Sequence, residues 1–151
     1  MTLKWSDIFV DASALRGMLL FQQWPNTVQG RVALIGASAF GDLFFSRPEG
    51  VVERLDVLEG GVHRVAATFE EFTRLMNNPE WQVSMLLTQG VALLAERGIA
   101  RGSQQFYGFA PHPSLAGRID WARAMPLDAI VWHSICAQIL DVRSHNEQHT
   151  A

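Results

Sequence analysis

Two tight-turn sequences limit what this chain can fold into. The first is Arg47-Pro48-Glu49-Gly50 and the second is Glu59-Gly60-Gly61. A proline early in a turn and a glycine at its end are typical of β-turns, and adjacent glycines tolerate the positive φ that tight hairpins require. Each turn lies between short apolar stretches, so the chain is predicted to run back and forth as an antiparallel meander.

The apolar stretches around these turns are the predicted strands. They lie at 31–37, 40–46, 51–58 and 62–66. In the third strand, the side chains expected on one face are Val51, Leu55 and Val57. Arg54 and Asp56 are expected on the other face, so this strand is predicted to lie over a core on one side only.

Helical signals account for much of the remaining sequence. Residues 11–24 and 127–142 space their apolar side chains at helical intervals. Thr68, with Glu71 three residues later, forms a capping-box pattern that starts a short helix. A helix predicted at 79–97 opens with the typical Asn-Pro start and is followed by a glycine.

Length and composition indicate one packed unit. The chain has 151 residues, of which 48% are hydrophobic and 18% are charged, enough for a single core. The predicted fold class is α+β, with an antiparallel β-meander packed against about four helices in a single domain. We divide it into an N-terminal helical segment at 1–30, an α+β domain at 31–142 and a polar tail at 143–151. Residues 99–121 are predicted as mostly loop, with a short strand near 120–125 as an option.

Composition argues against several classes of function. The formal net charge is −3 and the isoelectric point is about 5.9, so the chain lacks the Lys/Arg surplus that attracts nucleic acid. No apolar stretch reaches the roughly 18 residues needed to span a membrane. The single cysteine, Cys136, leaves no intrachain disulfide, and the N-terminus lacks the features of a signal peptide. We therefore predict a cytoplasmic protein that neither spans a membrane nor binds nucleic acid directly.

No residue pattern indicates a cofactor, a metal or a nucleophile. His133 and Cys136 lie three residues apart in a predicted helix, but a structural zinc site needs about four such ligands. Cys136 with His112 or His133 is a second combination to weigh. The thiol lies mid-helix among apolar neighbours, where cysteine usually serves as a small buried hydrophobe. We predict no cofactor, no metal and no catalytic residue.

Acidic residues concentrate on the predicted hairpins. They are Asp42, Glu49, Glu53, Asp56 and Glu59. Like charges on neighbouring strands destabilise a sheet unless they are solvated or used in binding. An acidic surface attracts a basic partner and speeds its association. We predict these five residues as partner-binding; the alternative is a solvated face.

The most distinctive segment is Gln104-Gln105-Phe106-Tyr107-Gly108-Phe109-Ala110-Pro111-His112-Pro113. Aromatic side chains in a small domain usually fill the core, and an interface role is the alternative for this segment. Prolines flank His112, and its imidazole is expected to be displayed outward. We add Tyr107 and His112 to the predicted partner-binding residues.

Three stretches, in their order and spacing, resemble one protein family. They are residues 39–45 with Phe40-Gly41-Asp42, residues 106–117 with Tyr107-Gly108-Phe109-Ala110-Pro111-His112-Pro113, and residues 127–140 with Trp132-His133-Ser134-Ile135. Together they are similar to the C-terminal domain of the type VI secretion immunity proteins that protect bacteria from DNase effectors. The resemblance covers about residues 32–142.

The resemblance implies a cytosolic protein that binds the nuclease domain of a cognate secreted toxin and blocks it. It makes 31–142 an immunity-type domain but assigns no role to individual residues. Two alternatives stay open. One is an adaptor or chaperone for a secreted effector, and the other is a small enzyme that uses His112 with a carboxylate such as Asp42. The oligomeric state is also open.

Overall fold

The predicted meander is present. The computed structural model describes residues 2–142, so the polar tail predicted at 143–151 lies outside the described residues. Its five central strands are β1 (Phe9–Asp11), β2 (Ala33–Ser38), β3 (Leu43–Ser46), β4 (Val52–Leu55) and β5 (Val62–Ala66). Each strand pairs antiparallel with its neighbour in sequence, which gives the sheet order β1-β2-β3-β4-β5.

Both predicted turns join strands of this sheet. Between β3 and β4, the Gly50 N–H donates to the Arg47 carbonyl at 2.9 Å. Between β4 and β5, the Gly60 N–H donates to the Asp56 carbonyl at 2.9 Å. The turn chemistry of the sequence therefore places Glu49 at one end of the β3–β4 hairpin and Asp56 at the other.

The N-terminal segment differs from the helix predicted at 11–24. A one-turn helix, α1 (Trp5–Ile8), leads into β1, and a 3-10 turn at Ala12–Ala14 precedes the short helix α2 (Gly17–Phe21). The Asp11 carboxylate accepts the Ser13 N–H at 2.9 Å and so caps the 3-10 turn. Residues before position 30 thus contribute an edge strand, which the helical spacing of their apolar side chains concealed.

Most predicted helix starts are confirmed. The described residues form five further helices, α3 (Phe69–Met76), α4 (Pro79–Leu86), α5 (Thr88–Glu96), α6 (Pro113–Ala116) and α7 (Ala129–Leu140). Thr68 caps α3 by accepting the Glu71 N–H at 3.1 Å, and Asn78 caps α4 by accepting the Glu80 N–H at 2.8 Å. The single helix predicted at 79–97 is wrong, because Leu87 has a left-handed backbone with φ of 53° and separates α4 from α5. Leucine rarely adopts that conformation, so the sequence did not mark the break.

A second, two-stranded sheet occupies part of the predicted loop. It pairs β6 (Gln105–Phe109) with β7 (Ala124–Asp128), and the Tyr107 N–H donates to the Ala39 carbonyl at 2.8 Å. Phe106, Tyr107, Gly108 and Phe109 are all buried. The prediction of loop at 99–121 is therefore wrong over β6, because a strand buried on both faces shows no alternation. The short strand expected near 120–125 lies slightly later, as β7.

Aromatic side chains fill the space on both faces of the five-stranded sheet. On one face Phe44 packs against Phe72 of α3 and Trp81 of α4, with ring centroids 5.5 and 5.8 Å away. On the other face Phe45 meets Phe21 of α2 edge-on at 5.4 Å. The observed α+β fold, a meander with helices on it in a single domain, agrees with the predicted class. Within residues 2–142, no helix has both the length and the apolar character required to cross a membrane.

Candidate functional site

The three stretches that carry the family resemblance meet around Trp132. This side chain lies on α7 and is fully buried. Its indole N–H donates to the carbonyl of Phe40, in the turn before β3, at 2.8 Å. His112, from the second stretch at 106–117, stacks on the indole with a centroid distance of 5.5 Å. One tryptophan therefore joins segments that are far apart in sequence.

Two glycines of these stretches leave the space that the Trp132 indole occupies. Gly41 has φ of +104°, which L side chains rarely adopt, and a Cβ there would lie 3.0 Å from Cδ1 of Trp132. A Cβ on Gly108 would lie 2.7 Å from Cε3 of the same ring. The glycines of Phe-Gly-Asp and Tyr-Gly-Phe are therefore explained by close packing against Trp132.

His133, the residue after Trp132 on α7, bonds to the same turn. The Trp24 indole N–H donates to Nδ1 of His133 at 2.9 Å, so the ring proton lies on Nε2, which is 2.8 Å from the Gly41 carbonyl oxygen. Burial lowers the pKa of His133 to about 4. Both ring nitrogens are bonded within the protein, so the imidazole is a neutral structural group and not a free ligand.

Cys136 lacks the reactivity of a nucleophile and has no neighbouring ligands with which to bind a metal among the described residues. It is fully buried, and burial raises the pKa of its thiol, so the reactive thiolate is disfavoured. Among residues 2–142, no three or more His, Cys, Asp and Glu side chains come together as a metal site would require.

His112 is not displayed outward, and this prediction is wrong. The residue is 2% exposed. Its Nδ1 accepts the Ser114 N–H at 3.0 Å, which caps α6, and its Nε2 lies 2.8 Å from the Val57 carbonyl oxygen and donates to it. Burial lowers the pKa of this imidazole as well. The flanking prolines fix the backbone so that the ring turns inward and caps α6, which leaves little of His112 for a partner.

Tyr107 is likewise part of the core. The residue is 5% exposed, and its hydroxyl donates to the Ile99 carbonyl at 3.2 Å. Burial raises the pKa of its phenol. The aromatic segment therefore takes the core role that was expected for it, and Tyr107 presents almost no surface for binding.

The five acidic residues predicted as partner-binding do not form one patch. Glu53 and Arg54 are neighbours on β4 and so point to opposite faces. Glu53 pairs with Arg47 at 2.7 Å. Glu49 is exposed in the turn at the far end of that hairpin. Only Asp42, Asp56 and Glu59 share a location, at the end of the hairpin where β4 leaves the sheet.

Asp42 and Asp56 hold Arg54 between them. Nη1 of Arg54 lies 2.9 Å from Oδ2 of Asp42, and Nη2 lies 3.4 Å from Oδ2 of Asp56. The second oxygen of Asp42 accepts the Val57 N–H at 3.0 Å. The second oxygen of Asp56 accepts the N–H groups of Leu58 and Glu59 at 2.9 and 2.8 Å. Arg54 is not among the predicted site residues. Its predicted position on the same face of the strand as Asp56 was the available signal that these two side chains lie together.

This charged cluster lines a cleft of about 640 Å³. Five apolar residues line the cleft, Leu58, Met85, Leu87, Pro113 and Ile119. Burial, and then the charge of Asp56, raise the pKa of Asp42 to about 7 despite the opposing effect of Arg54. A carboxyl group with a strongly shifted pKa in a cleft marks a candidate functional site.

Comparisons with known proteins show the fold and no family. The chain is similar to the crystal structure of Atu4351 from Agrobacterium tumefaciens, with a TM-score of 0.51 and 19% sequence identity. The likeness covers 80% of this chain and 62% of that one, so the chain spans less than two thirds of that protein's length. No family model matches the chain. No curated protein sequence matches it either.

Proposed function

We propose that this chain is an immunity protein that binds a cognate type VI secretion DNase toxin in the producing cell and neutralises it by a direct stoichiometric complex. The observation that carries the proposal is the meeting of all three resembling stretches around Trp132. Phe40, Gly41, Gly108 and His112 each lie against Trp132. The residues that carry the resemblance therefore form one packed unit, which supports the proposal.

In this proposal the shared residues keep the fold and the exposed surface selects the toxin. The residues that contact Trp132 are buried and so cannot distinguish one partner from another. Exposed side chains near the cleft, such as Glu59, are free to do so. The protein would act in the cytoplasm without a cofactor, covering the nuclease active site or preventing its assembly, and without touching nucleic acid or membrane itself.

The geometry favours binding over the alternative of a small enzyme. Catalysis by His112 requires a free ring nitrogen, but both nitrogens are bonded to backbone groups at 2.8 and 3.0 Å. Asp42 is bonded to Val57 and Arg54. Using this pair for proton transfer would break the bonds that hold residues 57 and 114.

The test is neutralisation of a defined nuclease. A DNase captured from the producing cells with the tagged chain is purified, and its cleavage of plasmid DNA is measured as the chain is added. Immunity predicts that cleavage falls in proportion to added chain and ends near one equivalent. An adaptor would form the complex and leave cleavage intact. If cleavage continues at the full rate with the chain in excess, the immunity proposal fails.

A further inference from the structure

We propose that the cleft between the β4–β5 turn, the α4–α5 junction and α6 is a docking site for a basic side chain, an arginine or lysine of a protein partner. The inference rests on the proposed function only for what that partner is, because the chemistry of the cleft is independent of it.

The charges of the cleft favour a cation. Three carboxylates line the cleft, those of Asp42, Asp56 and Glu59, against the two guanidinium groups of Arg54 and Arg118. Arg54 is held between Asp42 and Asp56. Arg118 is 73% exposed, so solvent screens its charge more than the others. With three acids against two bases, the cleft carries a net negative charge when its acids are ionised, and an incoming cation relieves it.

The walls fit the rest of such a side chain. Met85 and Leu87 come from the α4–α5 junction, while Pro113 and Ile119 come from α6 and the segment after it. Arginine and lysine carry long aliphatic stems that pack on apolar surface while the charged end reaches a polar group. A basic residue with apolar neighbours in its own chain matches this arrangement.

The titration of Asp42 adds a signature to the binding. The charged or titratable groups around it are Arg54 and Asp56 at the end of β4, His112 across Val57, and His133 and Cys136 on α7. Since the pKa of Asp42 is raised to about 7, part of its population is protonated at neutral pH. A cation in the cleft favours the ionised form, so binding releases protons and strengthens as the pH rises from 6 to 8.

The experiment uses the full chain and a defined probe. Acetyl-Leu-Arg-Leu-amide is titrated into ¹⁵N-labelled protein at pH 7, and acetyl-Leu-citrulline-Leu-amide, which replaces the guanidinium by a neutral urea, serves as the control ligand. We expect saturable amide shifts at Leu58, Glu59, Leu87 and Gly117 with the arginine peptide, in the millimolar range of a short ligand. Equal shifts with both peptides, or no saturable shift at these amides, overturn the proposal.

Two matched surface variants sharpen the result. Glu59→Lys reverses a charge at the cleft and should weaken the arginine peptide about tenfold. Glu49→Lys makes the same change at the far end of the hairpin and should alter affinity less than about twofold. Equal effects of the two variants overturn the docking site. If a DNase captured with the chain is neutralised equally by wild type and Glu59→Lys, the function stands and this site fails. If the peptide binds as expected but no nuclease is inhibited, the site stands and the function fails.

Discussion

Asp42 and His112 hold the same residue from two sides. Oδ1 of Asp42 accepts the Val57 N–H at 3.0 Å, and Nε2 of His112 donates to the Val57 carbonyl at 2.8 Å. Val57 is the point where the chain leaves β4, and it is fully buried. The two side chains that suggested an enzyme by their chemistry thus hold the backbone of Val57 in place where the chain leaves β4.

The first prediction concerns Trp132. Trp132→Phe removes the indole N–H, leaves the Phe40 carbonyl buried without its donor and reduces the packed volume. We expect a loss of about 2–3 kcal/mol in the free energy of unfolding. Urea denaturation measures it. Val131→Ala, on the exposed side of the same helix, is the control and should change stability by less than about 1 kcal/mol. A Trp132→Phe variant as stable as this control would contradict the proposed role of the indole.

The second prediction concerns Gly108. In Gly108→Ala, the new methyl group would enter the space taken by Trp132 and Leu127, at 2.7 and 2.5 Å. Overpacking of this kind costs about 1–3 kcal/mol. Gly102→Ala is the matched change, because its Cβ would meet only the flexible end of Gln105 at 3.2 Å. Thermal unfolding should show a lower midpoint for Gly108→Ala than for Gly102→Ala. Equal midpoints would argue against close packing of Gly108 on the Trp132 ring.

Elements that are specified by neighbouring residues could be predicted from the sequence, whereas elements that depend on distant contacts could not. The turns at Pro48 and Gly60 and the caps at Thr68 and Asn78 are local, and each was located correctly. β1 was missed because pairing with β2 fixes it, not the pattern of its own residues. β6 was missed because burial on both faces removes alternation.

The candidate site was harder to predict than the fold. Residue types did not indicate that Asp42 and Asp56 are buried beside Arg54, or that Glu49 and Glu53 lie elsewhere on the hairpin. That separation depends on which end and which face of the hairpin each residue occupies. His112 was misplaced because its two bonds join backbone groups at Val57 and Ser114, one of which is distant in sequence.

The third prediction concerns the pH dependence caused by Asp42. Its folded-state pKa is about 7, above the ordinary value of 3.8, so the folded protein binds the additional proton between those limits. This group therefore makes the wild type less stable as the pH rises from about 4 to 7, by at most about 1.4 kcal/mol per pH unit. Asp42→Asn, which does not titrate, should gain stability relative to wild type over that range. A constant difference between the two from pH 4.5 to 8 would contradict the raised pKa.

The fourth prediction concerns His133. Its pKa is lowered from 6.5 to about 4, so the contribution of the neutral ring is complete above 6.5 and is lost as the pH falls toward 4. Two-dimensional NMR of the imidazole protons should show no titration of His133 near pH 6.5. A midpoint for His133 near 6.5 would show that the buried bonds to Trp24 and Gly41 do not form.

The measurement that tests the central claim most directly is DNA cleavage by a DNase that the tagged chain captures from its own cells, followed as the chain is titrated into the purified nuclease. The account predicts a linear fall in cleavage that reaches its end at one chain per nuclease, with activity restored when the complex is denatured and the nuclease alone is refolded. Full cleavage in the presence of excess folded chain, with or without a complex, would contradict it.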